Sequence, residues 1–156
     1  MKVKLRFKLN GISRTDEMEP NQTLCDYLHD VAGTTSVKKG CDTGECGACT
    51  VLLDDMPVTS CLVLAPQVDG REVVTTEGLG TQSAPHPIQR EFVEKDAVQC
   101  GYCIPGMIVT MSWIFDHVPK ASDDEIKRLM SGNLCRCTGY LQQIEALKSA
   151  RKNGKA

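Results

Sequence analysis

The sequence predicts an α+β protein built in two parts, a small sheet with one helix followed by an all-helical half. Three observations predict it. Apolar residues recur at every second position in the first half and at helical spacing in the second. The change falls at residues 78–85, a stretch with two Gly, one Pro and no charge. The length of 156 residues, with 24% charged and 41% apolar, suits one ordinary domain or two small ones and not a disordered chain.

Val3, Leu5, Phe7 and Leu9 alternate as on a half-buried strand. Asn10-Gly11 is a hairpin signal, and Ile12-Ser13-Arg14 opens the return strand. Thr23 with Asp26 reads as a variant capping box, and Leu24, Tyr27, Leu28 and Val31 make a short helical stripe. Thr50-Val51-Leu52-Leu53 and Val58-Thr59-Ser60-Cys61-Leu62 read as strands joined by a turn around Asp55-Met56-Pro57. Arg71-Glu72-Val73-Val74-Thr75 is a last strand after the Asp69-Gly70 turn, which completes a ββαβββ pattern.

In the second half, Pro87 suits a first helical position, with Ile88, Phe92 and Val93 following at helical spacing. A second helix starts near Pro105 and carries Met107, Ile108, Met111, Ile114 and Phe115 on one face. Ser122-Asp123-Asp124-Glu125 is a capping box ahead of Ile126, Leu129 and Met130. A fourth helix carries Tyr140, Leu141, Ile144 and Leu147, and the polar tail from Arg151 is expected to fray. The division is thus 1–77, a linker over 78–87, and a helical domain over 88–156. The helices form two helix-loop-helix units with a Cys pair in each loop, an internal pseudo-repeat that fits a four-helix arrangement.

Lys plus Arg number 18 and Asp plus Glu 20, for a net charge of -2, which argues against a basic nucleic-acid binder. No apolar run approaches the roughly 18 residues of a membrane span. The first residues lack the apolar segment of a secretory signal, so a cytoplasmic location is expected. The unusual number is nine Cys. With an odd count and no sign of export, metal ligation is a better reading than a disulfide scaffold.

The cysteines sort into two sets. Cys41, Cys46 and Cys49 have the spacing C-x4-C-x2-C, and Cys61 follows on a predicted strand. This is the plant-type [2Fe-2S] ferredoxin spacing. A core held by four thiolates carries about -2 when oxidised and about -3 when reduced, so backbone N–H groups must face its sulfurs. Gly40, Gly44 and Gly47 let the loop wrap tightly and turn its amides inward. A zinc knuckle is the alternative, although zinc sites prefer paired C-x2-4-C hooks. The second set is Cys100 with Cys103 and Cys135 with Cys137, each pair just ahead of a predicted helix whose N-terminus favours an anion. Neither pair is specific alone. On pseudo-symmetric loops they make a four-Cys site, with zinc as the bland alternative. Cys25 is left over in the first helix and reads as a buried structural thiol.

Longer phrases carry a resemblance. Gly40-Cys41-Asp42-Thr43-Gly44-Glu45-Cys46-Gly47-Ala48-Cys49-Thr50-Val51 and Pro57-Val58-Thr59-Ser60-Cys61-Leu62 resemble the iron–sulfur subunit of molybdenum hydroxylases. This is the family of xanthine oxidase, aldehyde oxidoreductase and carbon monoxide dehydrogenase. Gln99-Cys100-Gly101-Tyr102-Cys103-Ile104-Pro105-Gly106-Met107 and Gly132-Asn133-Leu134-Cys135-Arg136-Cys137-Thr138-Gly139-Tyr140 resemble its second signature. The resemblance covers nearly the whole chain. It implies a ferredoxin-like β-grasp domain followed by a four-helix domain, each with one [2Fe-2S] cluster. The first cluster would be held by Cys41, Cys46, Cys49 and Cys61, nearer a flavin. The second would be held by Cys100, Cys103, Cys135 and Cys137, nearer the molybdenum. Gln99 and Cys137 would contact the pterin of a molybdopterin-type molybdenum cofactor. That cofactor would sit on a large partner subunit and FAD on a medium one, in a heterotrimer or its dimer. The role implied is electron transfer from the molybdenum cofactor to FAD or another acceptor. Two departures stand out: Ile104 where the family commonly has Thr, and three residues between Tyr140 and Ile144 where two is usual.

Two other function classes compete: a free-standing two-cluster ferredoxin, and a structural zinc protein that binds a partner. His29, His86 and His117 lie outside both Cys sets and suit surface or capping roles. Lys38 and Lys39 flank the first loop as solvated charges, Arg136 sits beside an anionic core, and Trp113 belongs to helix packing.

Overall fold

The computed structural model describes residues 2–153. Strand β1 (Val3–Leu9) pairs antiparallel with β2 (Ile12–Met18), Leu9 opposite Ile12. Asn10 and Gly11 between them have φ of 52° and 78°, the twist that a two-residue hairpin requires. Leu5, Phe7 and Leu9 are buried while Lys4, Arg6 and Lys8 are exposed, as the alternation requires. Thr23 caps α1 (Leu24–Asp26), its Oγ1 accepting the Asp26 N–H at 3.1 Å. The helix then widens into a π turn, Tyr27–Val31. The wider turn carries Val31 off the predicted stripe, so it is exposed while Leu24, Tyr27 and Leu28 are buried.

The second hairpin joins β3 (Thr50–Leu53) to β4 (Met56–Thr59). Its turn is Asp54-Asp55, both with positive φ, one residue earlier than predicted. Pro57 is inside β4, which is tolerated because β4 is an edge strand. The predicted strand across Cys61 is wrong. β4 stops at Thr59, and Ser60–Leu62 curls into a 3-10 turn. Ser60 causes the curl by donating both its N–H (3.3 Å) and its hydroxyl (2.7 Å) to the Cys49 carbonyl. Strand β5 (Glu72–Val74) lies between β1 and β3, parallel to the first and antiparallel to the second. The sheet order is β2-β1-β5-β3-β4. A mixed sheet packed on one helix is the ferredoxin-like arrangement, with its core around Leu5, Leu24, Tyr27, Leu28, Val51 and Val73.

The helical half contains α2 (Pro87–Glu94), α3 (Ile104–His117), α4 (Asp123–Leu129) and α5 (Tyr140–Asn153). The capping box predicted at Ser122 forms: Ser122 N–H donates to Glu125 Oε2 at 2.8 Å, and Glu125 N–H to Ser122 Oγ at 3.4 Å. His86 caps α2 through Nδ1, which accepts the Ile88 N–H at 3.2 Å. Ile88, Phe92, Met107, Met111, Ile114, Ile126 and Leu147 form a second core. Arg151 is not frayed. Its guanidinium donates to the carbonyls of Val118 (2.7 Å) and Ala121 (3.0 Å), which extends α5 to Asn153. The rest of the predicted frayed tail, residues 154–156, lies outside the described residues.

The two halves meet along β3 and α3. All four residues of β3 are buried, Val51 and Leu53 in the sheet core. Gly106 permits the contact, because a Cβ there would collide with the Gly47 carbonyl oxygen. At the far end of the seam His117 Nε2 meets Asp55 Oδ2 at 2.8 Å, and the imidazole stacks on Trp113 at 5.0 Å between ring centroids.

Candidate metal centres

The loop between the π turn and β3 brings Cys41, Cys46 and Cys49 to one place, and the Ser60–Leu62 turn adds Cys61. Backbone amides face their sulfurs. The N–H groups of Thr43 and Cys46 each reach Cys41 Sγ at 3.4 Å. Those of Ala48, Cys61 and Gly44 serve Cys46, Cys49 and Cys61 respectively. The Thr43 and Cys46 bonds hold the Cys41 thiol down to about 6. A Cβ on Gly40 would stand 2.7 Å from Cys46 Sγ, and one on Gly44 would collide with Leu62. Gly44 also has φ +82°, so the loop needs glycine there for both space and conformation.

In the helical half, Cys103 is the N-cap of α3, and Cys135 and Cys137 lie just before α5. The Cys135 sulfur is buried enough to raise its pKa, yet the N–H groups of Gly139, Cys137 and Thr138 and the Cys103 thiol bring it below the ordinary value. Burial, then the Cys135 thiol, pushes Cys103 up to about 12. Both Cys loops end on helix N-termini as expected.

The two sets face one another across the seam. Leu134 N–H donates to the Cys46 carbonyl at 2.9 Å. Asn133 Nδ2 donates to the Gly47 carbonyl at 3.1 Å, and Tyr102 Oη to the Lys39 carbonyl at 2.8 Å. A cavity of about 490 Å³ lies between the sets, lined among others by Cys46, Cys100, Cys103, Cys135 and Tyr102.

Comparison with known proteins agrees with this arrangement. Residues 7–76 match the 2Fe-2S iron-sulfur cluster binding domain and residues 75–148 the [2Fe-2S] binding domain. The nicotinate dehydrogenase small FeS subunit of Eubacterium barkeri is 48% identical over 149 residues, 96% of this chain and 95% of that one. This chain belongs to the iron–sulfur subunits of the molybdenum hydroxylase family. The iron–sulfur subunit also superimposes on quinoline 2-oxidoreductase of Pseudomonas putida 86, with TM-score 0.90, 39% identity and 99% of each chain covered. Aldehyde oxidoreductase of Desulfovibrio desulfuricans gives TM-score 0.92 and 35% identity over 97% of this chain and 17% of its own. The subunit carries two [2Fe-2S] clusters and serves electron transfer in a dehydrogenase or oxidoreductase complex.

The donor set suits such clusters. Within each set the thiols lie close to one another: Cys46 beside Cys41, Cys61 beside Cys49, Cys137 beside Cys100, and Cys103 beside Cys135. Two sulfurs for each metal, with amides on the sulfurs, is what a two-iron core requires.

Gln99 is exposed, and its amide lies against Gly139, where a Cβ would be 3.4 Å from Nε2. Arg136 is exposed beside the second set. Lys39 is not a free solvated charge, since it pairs with Asp26 (2.7 Å) and Asp42 (3.3 Å), while Lys38 donates to the Thr35 carbonyl at 2.6 Å. His29 pairs with Asp30 on the surface and His86 is a cap, as their positions suggest. Sequence reasoning gave no site role to four residues that assemble the site: Asn133, Tyr102, Tyr140 and Gln143. Asn133 and Tyr102 tie the loops together. Tyr140 Oη accepts the Cys135 N–H at 2.6 Å. Gln143 is 1% exposed on the inward face of α5, beside Tyr140 and Ile144, and lines a cavity of about 220 Å³. The i, i+3, i+4 spacing of Tyr140, Gln143 and Ile144 was a signal for Gln143, although its polarity hides it.

Proposed function

We propose that Cys41, Cys46, Cys49 and Cys61 ligate the first cluster, in a domain of residues 1–77. Cys100, Cys103, Cys135 and Cys137 ligate the second, in residues 88–156, with residues 78–87 as the linker. The observation that carries this is the facing of two four-cysteine sets across one hydrogen-bonded seam, around a cavity lined by Cys46, Cys100, Cys103 and Cys135. When bound, each cluster supplies a one-electron site whose potential depends on charge, hydrogen bonds and exposure. The chain's own residues hold the sulfurs, aim amides at them and clamp the two loops together through Asn133, Leu134 and Tyr102. The clamp keeps the two sites adjacent.

The helical half faces the molybdopterin-type molybdenum cofactor of a large subunit, with Gln99 and Cys137 towards the pterin. The sheet half faces the FAD of a medium subunit, in a heterotrimer or its dimer. Exposed Val98, Leu134 and Leu141 neighbour the second Cys set along the chain and supply apolar surface for the large subunit. Relatives named for nicotinate and quinoline support an N-heteroaromatic substrate, bound by the large subunit. Thiolate sets of this size are assembled under reducing conditions, which supports a cytoplasmic enzyme.

The test is iron and acid-labile sulfide per chain with EPR of the dithionite-reduced complex, wild type against Cys103→Ser. About four iron and two distinct [2Fe-2S] signals are expected in the wild type. In the variant the second signal should be lost or altered, and delivery to the acceptor should collapse while substrate still reduces molybdenum. Full turnover with the second signal absent would overturn the route. A native species near 17.1 kDa with both signals would favour a free-standing ferredoxin.

A further inference from the structure

We propose that the cavity of about 220 Å³ between α3, α4 and α5 binds a small neutral aromatic molecule, which donates one hydrogen bond to Oε1 of Gln143. The site lies outside both Cys sets and goes beyond the electron-transfer reading.

Each helix contributes to the walls. Met111 comes from α3, Met130 closes the end of α4, and Ile144 comes from α5, all three buried. Tyr140, one turn before Ile144, supplies an aromatic wall. Tyr140 also lines the cavity between the Cys sets, so the two spaces share that side chain. Lys127 and Ser131 are exposed and mark the mouth.

The chemistry of the lining selects the ligand. Gln143 is buried, yet its Oε1 has no hydrogen-bond partner among the described residues. The other polar side chains at the cavity are engaged elsewhere. Asn133 Nδ2 donates to the Gly47 carbonyl at 3.1 Å, Ser131 Oγ to the Arg128 carbonyl at 2.8 Å, and Tyr140 Oη accepts the Cys135 N–H at 2.6 Å. Lys127 Nζ meets the Asp124 carboxylate at 3.1 Å, so the mouth calls for no charge on the ligand. A buried acceptor left unpaired is costly, so the Gln143 amide favours an occupant that brings a donor. The terminal torsion of glutamine is soft, and a small rotation turns Oε1 to the cavity. Water fits poorly, because an ordered water needs roughly two to four polar partners and the walls offer one uncommitted side chain. An apolar cavity of roughly 150 Å³ holds benzene, so this larger one has room for a ring system and its donor group. Methionine sulfur and a tyrosine ring both pack well on an aromatic face or edge.

The experiment is equilibrium dialysis of the cluster-loaded chain against indole, which carries an N–H donor, and against benzothiophene, which has nearly the same shape without one. Indole should bind at a single site and about tenfold more tightly than benzothiophene, a difference of about 1.4 kcal/mol. Gln143→Leu keeps nearly the same volume and removes the acceptor. In it the ratio of the two affinities should fall to about one, while benzothiophene still binds. Gln143→Met serves the same purpose if the leucine variant fails to fold. No saturable binding of either probe would overturn the proposal, as would equal affinities in the wild type or a preference for indole that survives the loss of the acceptor. The same dialysis on the assembled complex separates a free ligand from a partner's side chain. Indole bound there as in the single chain supports the proposal. Its exclusion would mean that another subunit fills the cavity, which overturns it.

Discussion

Gly106→Ala is expected to destabilise the subunit, and two opposed magnitudes decide the sign. Alanine is favoured over glycine inside a helix by about 0.8–1.0 kcal/mol. Gly106 lies in α3, so this gain is available. Against it, the new Cβ would collide with the Gly47 carbonyl oxygen and lie 3.2 Å from the Gly47 carbonyl carbon and 3.3 Å from that of Ala48. These are backbone atoms and cannot swing aside as a flexible side chain would. The Gly47 carbonyl is also held in place, accepting the Thr50 N–H (3.1 Å), the Thr50 hydroxyl (2.7 Å) and Asn133 Nδ2 (3.1 Å). Overpacking of this kind costs about 1–3 kcal/mol, and backbone against backbone belongs in the upper half of that range. The net loss is about 1–2 kcal/mol, or roughly 2–8 °C in melting temperature for a chain of this length. The assay is thermal unfolding of the cluster-loaded subunit beside Gly132→Ala, whose Cβ would meet nothing within 4 Å. A Gly106→Ala variant that melts at or above the parent would refute the tight seam, as would equal losses in both variants.

Three further outcomes follow from the same geometry. Tyr140→Phe removes the acceptor of the Cys135 N–H at 2.6 Å. It should cost about 1 kcal/mol and change the EPR line shape of the second cluster, with the first unchanged. The His117–Asp55 pair should make stability depend on pH: the Asp55 carboxylate raises the His117 pKa above its ordinary value near 6.5. A raised folded-state value contributes stability that is fully present below 6.5 and is lost as pH rises through the folded value. The melting difference between wild type and Asp55→Asn should therefore be largest near pH 6 and shrink towards pH 9. In the cluster-free chain, Cys41 is held at about 6 by Thr43 and the Cys46 N–H, whereas burial and then the Cys49 thiol push Cys61 up to about 11. Iodoacetamide at pH 7.5 should alkylate Cys41 well before Cys61, as mass spectrometry of the digested protein would read out.

The element pattern was legible because each element has a local cause. The hairpin at Asn10-Gly11 and the caps at Thr23 and Ser122 act within a few residues and appear where the sequence places them. The errors came where a distant partner overrides local preference. Cys61 reads as part of a strand, but Ser60 turns the chain by donating to Cys49 from eleven residues away. Arg151 reads as tail, but carbonyls of the α3–α4 loop hold it.

By itself the sequence determined which atoms could ligate iron and in which two groups they fall, because Cys spacing and loop glycines are local properties. The tertiary structure decided how the groups relate. It set which thiols lie together, which amides reach which sulfur, and how Asn133, Leu134 and Tyr102 join the two loops. It also placed Cys25, which reads as a buried structural thiol, in the same buried core as Cys49 and Cys61. The physical reason is that pairing between residues far apart in the chain depends on how α3 packs on β3 and how α1 docks beside the Cys61 turn. That packing is a cooperative property of the whole fold, and no short window of sequence contains it.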